Sequence, residues 1–221
     1  MSGTGRRVGR PRAEQRPDRG LTPRGELLDA AAELFTTLGF GATTTRAVAE
    51  RAGMRQATMY HYVSGKEDLL AQLLESTVKP SLVLAAALLA QSERPAEARL
   101  WQLCRSDVEL LCGGRHNLGA LYLLPEVRAE RFAPFHRMRA ELKGAYRQLL
   151  HRSRPGGGLG AAELALRTDL VFGLVEGVIL IRRSDPDRPV AAFAEATADA
   201  VLRIAGFPLR DEAWGAPAAG A

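Results

Sequence analysis

Apolar positions recur every three or four residues along most of the chain, and nowhere is there a sustained alternation of period two. After Thr22, Leu27, Ala31, Leu34, Phe35 and Leu38 share one helical face, and Gly39 stops the run. Thr22 suits an N-cap with Pro23 at the first helical position. "TTTRAVAERAG" predicts a second, short helix: Thr43 or Thr44 caps it, Val48, Ala49 and Ala52 face inward, and Gly53 ends it. A third short helix runs through "RQATMYHY". "SGKE" (64–67) reads as a capping box, Ser64 accepting from the Glu67 amide while Glu67 reaches back. It opens a longer helix to about residue 90 that Pro80 kinks or splits. Further helices are expected near 95–113, 117–123, 128–152, 161–183 and 189–205, with "RPGGGLG" (154–160) and "SDPDRP" (184–189) between them. The pattern predicts an all-α chain without internal repeats.

Two short helices joined at Gly53, within three or four helices, make a helix-turn-helix over about residues 44–63. Ala49 is small enough for a close helix crossing, Gly53 tolerates positive φ, and Met54, Met59 and Val63 can anchor the second helix. Arg55, Gln56, Thr58, Tyr60 and Tyr62 are left to face outward. Gln and Arg make paired hydrogen bonds to base edges, and Thr and Tyr hydroxyls donate to phosphate oxygens. Lys66, opening the next helix, adds a charge where the helix dipole already favours an anion. Each residue alone also fits a short surface helix whose tyrosines merely pack; with the flanking helix and caps, DNA is the favoured reading.

Charge sharpens the picture. Of a net +5 over 221 residues, all resides in residues 1–24, where Arg6, Arg7, Arg10, Arg12, Arg16, Arg19 and Arg24 face only Glu14 and Asp18. A basic arm on a neutral body suits a polyanion; a solubilising tail in an arginine-biased chain would look the same. Hydrophobic content of 46% supports a sizeable core, and the sparse aromatics, 6%, point to one of Leu, Ala and Val. Cys104 and Cys112, about 12 Å apart on one helix, are too distant for a disulfide and read as buried thiols. The four histidines show no metal spacing. "LVLAAALLA" (82–90) is about half a membrane span, and no apolar segment follows the basic N-terminus, so a cytoplasmic protein is expected, without membrane or cofactor. No nucleophile-elbow, zinc-helix, phosphate-loop or paired-cysteine signature suggests an enzyme.

The run "GFGATTTRAVAERAGMRQATMYHYVSGKEDLLAQLL" (39–74) resembles the DNA-binding module of the TetR family of bacterial transcriptional regulators. Gly39-Phe40, Ala42-Thr43, Val48-Ala49, Ala52-Gly53, Thr58-Met59-Tyr60, Tyr62, Val63 and Lys66-Glu67-Asp68-Leu69-Leu70 carry the likeness, which covers roughly residues 22–80, a third of the chain. Met59 stands in place of the usual Leu, and Tyr62 where His or Phe is common. The resemblance implies that Arg46, Arg55 and Gln56 read bases, while Thr44 or Thr45, Thr58, Tyr60, Tyr62 and Lys66 hold phosphates. Arg46 also fits a solvated partner of Glu50. "GRPR" (9–12) resembles arms that enter the minor groove.

The implied organisation is a basic arm (1–21), a three-helix helix-turn-helix DNA-binding domain (22–80), a helical-bundle ligand-binding and dimerisation domain (81–206), and a C-terminal tail (207–221), of which 214–221 is expected to fray. Residues 162–181 are apolar on both sides, which calls for burial on both sides. A homodimer interface is expected from Val171, Leu174, Val178 and Ile181, with Phe193 and Val201 on the following helix; Gly173 and Gly177 permit close approach. Trp101, Arg105, His116, Tyr122, Phe135 and His136 are candidates for a small-molecule pocket. The expected function is a dimeric repressor that binds a double-stranded operator and is released by an unidentified small molecule. A regulator without effector is the alternative, and a small-molecule enzyme the remoter one.

Overall fold

The computed structural model describes residues 20–207; the basic arm to residue 19 and the tail from 208, including the frayed end expected at 214–221, lie outside the described residues. Among these, ten α-helices and three 3-10 turns form, with no strand. The helices are α1 (Pro23–Thr37), α2 (Thr45–Arg51), α3 (Gln56–Met59), α4 (Lys66–Ser76), α5 (Lys79–Ala90), α6 (Ala96–Gly113), α7 (Ala133–Arg152), α8 (Arg154–Gly157), α9 (Ala161–Ser184) and α10 (Val190–Ala205).

The termini of the first helices follow from their caps. Thr22 accepts from the Gly25 amide, Pro23 opens α1, and Leu27, Ala31 and Phe35 are buried. Gly39, at φ +89°, turns the chain after α1. Thr44 rather than Thr43 caps α2, accepting from Ala47 N at 3.1 Å. Thr43 is buried instead, its hydroxyl donating to the Gly39 carbonyl at 2.8 Å. Gly53, at φ +75°, makes the turn into α3, where the Met54 amide donates to the Ala49 carbonyl. The third helix is shorter than expected, a single turn, but Met59 and Val63 still fix it to the core.

The capping box expected of Ser64 and Glu67 does not form, and no side chain caps the first amides of α4. The N-cap of α4 is Gly65, so the third helical residue is Asp68 and not Glu67. The Ser64 amide and hydroxyl both donate to Asp68 Oδ2, at 3.0 and 3.4 Å. Burial pushes the Asp68 carboxyl up, but the bonds from Ser64 and Gln72 and the charge of Arg24 outweigh it and hold it below its ordinary value. Pro80 does split the long helix: α4 ends at Ser76, and α5 starts with Pro80 in its first turn, where a missing N–H costs nothing. Residues Lys66–Ala90 together are long and apolar enough to cross a membrane by length and composition alone. Here they are two helices broken at Thr77–Val78, with Leu70, Leu74, Ala85 and Leu88 in the core.

In the remainder, α6 packs most extensively on α10, and α7 on α5 and α9. The helix expected at 117–123 and the start of the one expected at 128–152 are 3-10 turns, Leu118–Leu123, Pro125–Arg128 and Glu130–Phe132. Pro125 and Pro134 account for the interruptions: each opens an element, and α7 starts only at Ala133. Leu118–Leu123 touches α1, α4 and α9, bridging the first helices to the bundle. One apolar cluster runs from Leu27 to Ala205, and both cysteines lie free and buried within it.

The dimer expectation needs correction. Val171, Val178 and Val201 are buried inside the single chain and offer nothing to a partner. Leu174 and Phe193 are partly buried, and Ile181 is exposed. An all-round apolar helix does not declare which face turns inward. The inward face of α9 is Leu164, Val171, Val175 and Val178, and the outward face carries Leu166, Leu170 and Leu180, each about half exposed at 53%, 52% and 53%.

Candidate nucleic-acid interface

The first turn of α2 and the single turn of α3 bring three polar side chains together at the surface. Gln56 Nε2 donates to Thr45 Oγ1 at 2.9 Å and lies 3.5 Å from the Tyr60 hydroxyl. Thr45 Oγ1 and the Tyr60 hydroxyl are 3.4 Å apart. This amide and hydroxyl cluster ties the Tyr60 ring to α2 at the surface, with half its area exposed. Arg55, at the N-cap of α3, and Thr58 are exposed beside it, and Tyr62, two residues beyond Tyr60, is exposed as well. The sequence singled out each of these residues; it did not show that Thr45, Gln56 and Tyr60 hold one another.

The platform beneath is rigid. Val48 and Ala49 are fully buried where α2 crosses α1, and Met59 is fully buried under α3. Arg51 makes a bidentate pair with Glu33, with contacts at 2.6 Å to each carboxylate oxygen, locking α2 to α1. Arg46 extends to solvent and pairs with Glu50 at 2.9 Å, both side chains largely exposed, so water competes effectively for the pair.

Lys66 departs from the role its position suggested. Its Nζ turns inward, donating to the Phe40 and Thr43 carbonyls at 3.1 and 3.2 Å, and stands 4.5 Å from the Phe40 ring centroid. It joins the start of α4 to the α1–α2 turn. Sequence reading missed this because Phe40 and Lys66 are 26 residues apart; their joint presence in one motif was the available signal.

The residues considered for a ligand pocket do not converge. Trp101 Nε1 donates to Asp199 at 2.7 Å, and Arg105 pairs with Glu109 at 2.9 Å. His116 lies 3.5 Å from Asp29, and His136 Nε2 is 2.8 Å from the Val127 carbonyl. Phe135 is core, edge-on to Tyr122 with centroids 4.9 Å apart. Tyr122 lines a cavity inside the bundle, together with Thr77, Ser81, Asp107, Arg139 and Glu176, and His136 lines a separate open cleft beside Arg128, Glu130 and Arg137. Among the described residues no three His, Cys, Asp or Glu side chains gather as metal ligands would.

The sequence profile described as "Bacterial regulatory proteins, tetR family" matches residues 27–73, the span from α1 to α4. Across almost the whole length, the chain is similar to the crystal structure of AmtR from Mycobacterium smegmatis, with 47% identity, 88% of this chain and 91% of that one covered, and a TM-score of 0.79. The chain belongs to the TetR family. Its helix-turn-helix is therefore that of a DNA-binding regulator of transcription. A TetR-family regulator from Thermus thermophilus, PfmR, shares the fold at 21% identity, with 80% of this chain and 97% of that one covered and a TM-score of 0.69. The chain is also 43% identical over 51 residues to the HTH-type transcriptional repressor KstR2 of Mycobacterium tuberculosis, a match spanning 23% of this chain and about a quarter, 26%, of that relative's length.

Proposed function

We propose that this TetR-family regulator is a homodimeric repressor that reads a two-half-site operator with α3 and leaves it when a small molecule enters the bundle. The observation that carries the reading is the exposed Thr45–Gln56–Tyr60 cluster with Arg55 and Thr58 beside it. In this reading Arg55 and Gln56 contact base edges, and Thr44, Thr45, Thr58, Tyr60 and Tyr62 hold phosphates. Arg46 joins Arg55 and Gln56 at a base edge by exchanging Glu50 for it. Lys66 acts through the Phe40–Thr43 turn, placing Thr44 and Thr45 rather than holding a phosphate itself. The domain division belongs to the same proposal: residues 22–80 read DNA, and 81–206 bind effector and dimerise.

Dimerisation is supported by the outward face of α9. Leu166, Leu170 and Leu180 are exposed, and above Gly173, between them, the space that a side chain would fill is open. A second copy of α9 and α10 laid against this face buries those leucines and sets two α3 segments apart by one or more turns of DNA. The repressor sense finds support in the KstR2 relative, a transcriptional repressor. Selection of bound duplexes from a random pool tests the reading. An inverted pair of half-sites is expected; recovery of unrelated sequences would overturn it.

A further inference from the structure

A cavity lies between Thr77 at the end of α4 and side chains of α5, α6, α7 and α9. It has a volume of about 20 Å³, within a cleft of about 310 Å³ that opens toward solvent. A water needs roughly 10–15 Å³, so the inner part seats one small group. Asp107 lines it and is only 3% exposed. Its Oδ2 accepts from the Tyr146 hydroxyl at 2.6 Å, while Oδ1 is buried with no hydrogen-bond partner.

The charges around the cavity do not balance. Asp107, Glu176 and Arg139 are its only charged lining residues. Arg139 is committed to Glu176 by two bonds, of 2.7 and 2.5 Å. Burial, with a further push from the charge of Glu176, raises the Asp107 carboxyl to about 6 against the hydrogen bonds of Ser81 and Tyr146. Near neutral pH the group is still mostly ionised, leaving one buried carboxylate oxygen without a donor, which is a costly arrangement.

We infer that this cavity is a seat for a compact organic cation, whose ammonium or amidinium N–H group donates to Asp107 Oδ1 and whose remaining atoms pass beside the Arg139–Glu176 pair into the outer cleft. The seat adjoins the helix that leads to the helix-turn-helix. Tyr122 and Thr77, both in the lining, are 2.5 Å apart through their hydroxyls, and Thr77 Oγ1 lies 2.6 Å from the Leu74 carbonyl in the last turn of α4. An occupant that displaces Tyr122 disturbs the end of α4 directly. This consequence rests on the effector-released reading; binding of the cation does not.

Calorimetric titration of the full-length chain with acetamidinium and methylammonium tests the seat, with neutral acetamide and the donor-free tetramethylammonium ion as controls. Saturable binding of at least one N–H cation is expected, at least tenfold tighter than either control. Asp107→Asn should abolish it while still binding DNA, and Leu111→Phe, which narrows the cavity with Asp107 intact, should weaken it as well. Absence of saturable binding by both cations, equal binding of acetamide, or undiminished binding by Asp107→Asn would overturn the seat. A high-resolution crystal grown with acetamidinium in which Asp107 Oδ1 meets only an ordered water would do the same. The same cations are then added to a complex with selected DNA. Binding without release of DNA keeps the seat and removes the effector role; firm DNA binding with no cation bound removes the seat and leaves the regulator reading standing.

Discussion

Lys66 donates to two backbone carbonyls and stands over the Phe40 ring, so its replacement separates two roles that predict different measurements. A phosphate contact contributes about 0.9 to the slope of log affinity against log salt and little to folding. A lysine spent on buried carbonyls contributes about 1.5–3 kcal/mol through charged hydrogen bonds. Lys66→Met should therefore lower the melting temperature and weaken all DNA sequences alike, with the salt slope unchanged; thermal melts and binding at two salt concentrations check this. Asp107 gives a second prediction at this scale. Its folded pKa of about 6 lies above the roughly 4 of an unfolded aspartate. Between those values the folded chain binds the extra proton, so stability falls as pH rises through the window and the full cost is present above about 6. The titratable groups facing the carboxyl are the neutral Tyr146 hydroxyl on α7 and Cys104 thiol on α6, with Arg139 on α7 and Glu176 on α9 as the charges. Two pKa units correspond to about 3 kcal/mol. Asp107→Asn should melt above the wild type at pH 7.5, with the gap closing toward pH 4.5.

Among the elements, α1, α2 and α10 were legible because their caps and 3.6-residue patterns agree with the tertiary packing. Thr22, Thr44 and Gly53 each do locally what their residue type favours. The 3-10 turns at Leu118–Leu123 and Pro125–Arg128 were not, since a short apolar run has no periodicity long enough to separate a 3-10 turn from an α-helix. The candidate reading residues were legible as types; the inward turn of Lys66 was not, because it depends on a contact across 26 residues. Of the bundle cavity, Tyr122 was legible and the polar lining was not, for a related reason. Aromatic and histidine side chains were sought, whereas Ser81, Asp107, Arg139 and Glu176 line the cavity and meet only in the folded bundle. The bridging turn carries its own prediction. A Cβ at Gly119 would stand 2.5 Å from Ile179 Cγ1, closer than any packing allows. Gly119→Ala should push Leu118–Leu123 off α9, at a cost of about 1–3 kcal/mol, measured by denaturant titration. Gly53→Ala meets open space but must hold φ +75°, and should cost about 1–2 kcal/mol through backbone strain alone.

For the whole molecule, one continuous apolar cluster from α1 to α10 joins the helix-turn-helix to the bundle. Side-chain contacts reinforce the connection: Arg131 reaches Glu67 of α4 at 3.9 Å, and His116 Nε2 lies 3.5 Å from Asp29 of α1. Two-sidedness of α9 was visible in the sequence, but the choice of outward face was not, since both faces are apolar and only packing on α6 and α7 decides between them. If that outward face is the dimer contact, Leu170→Arg with Leu180→Arg should give a folded monomer by sedimentation, with affinity for a two-half-site duplex reduced by at least tenfold. The most direct measurement of the central claim, that the face around Gln56 reads base sequence, is binding of wild type and Gln56→Ala to a selected duplex and to its single-base variants at fixed salt. The account predicts that Gln56→Ala loses about 1–3 kcal/mol of discrimination at one position, mirrored in both half-sites, with the salt slope intact. Unchanged discrimination at every position would contradict it.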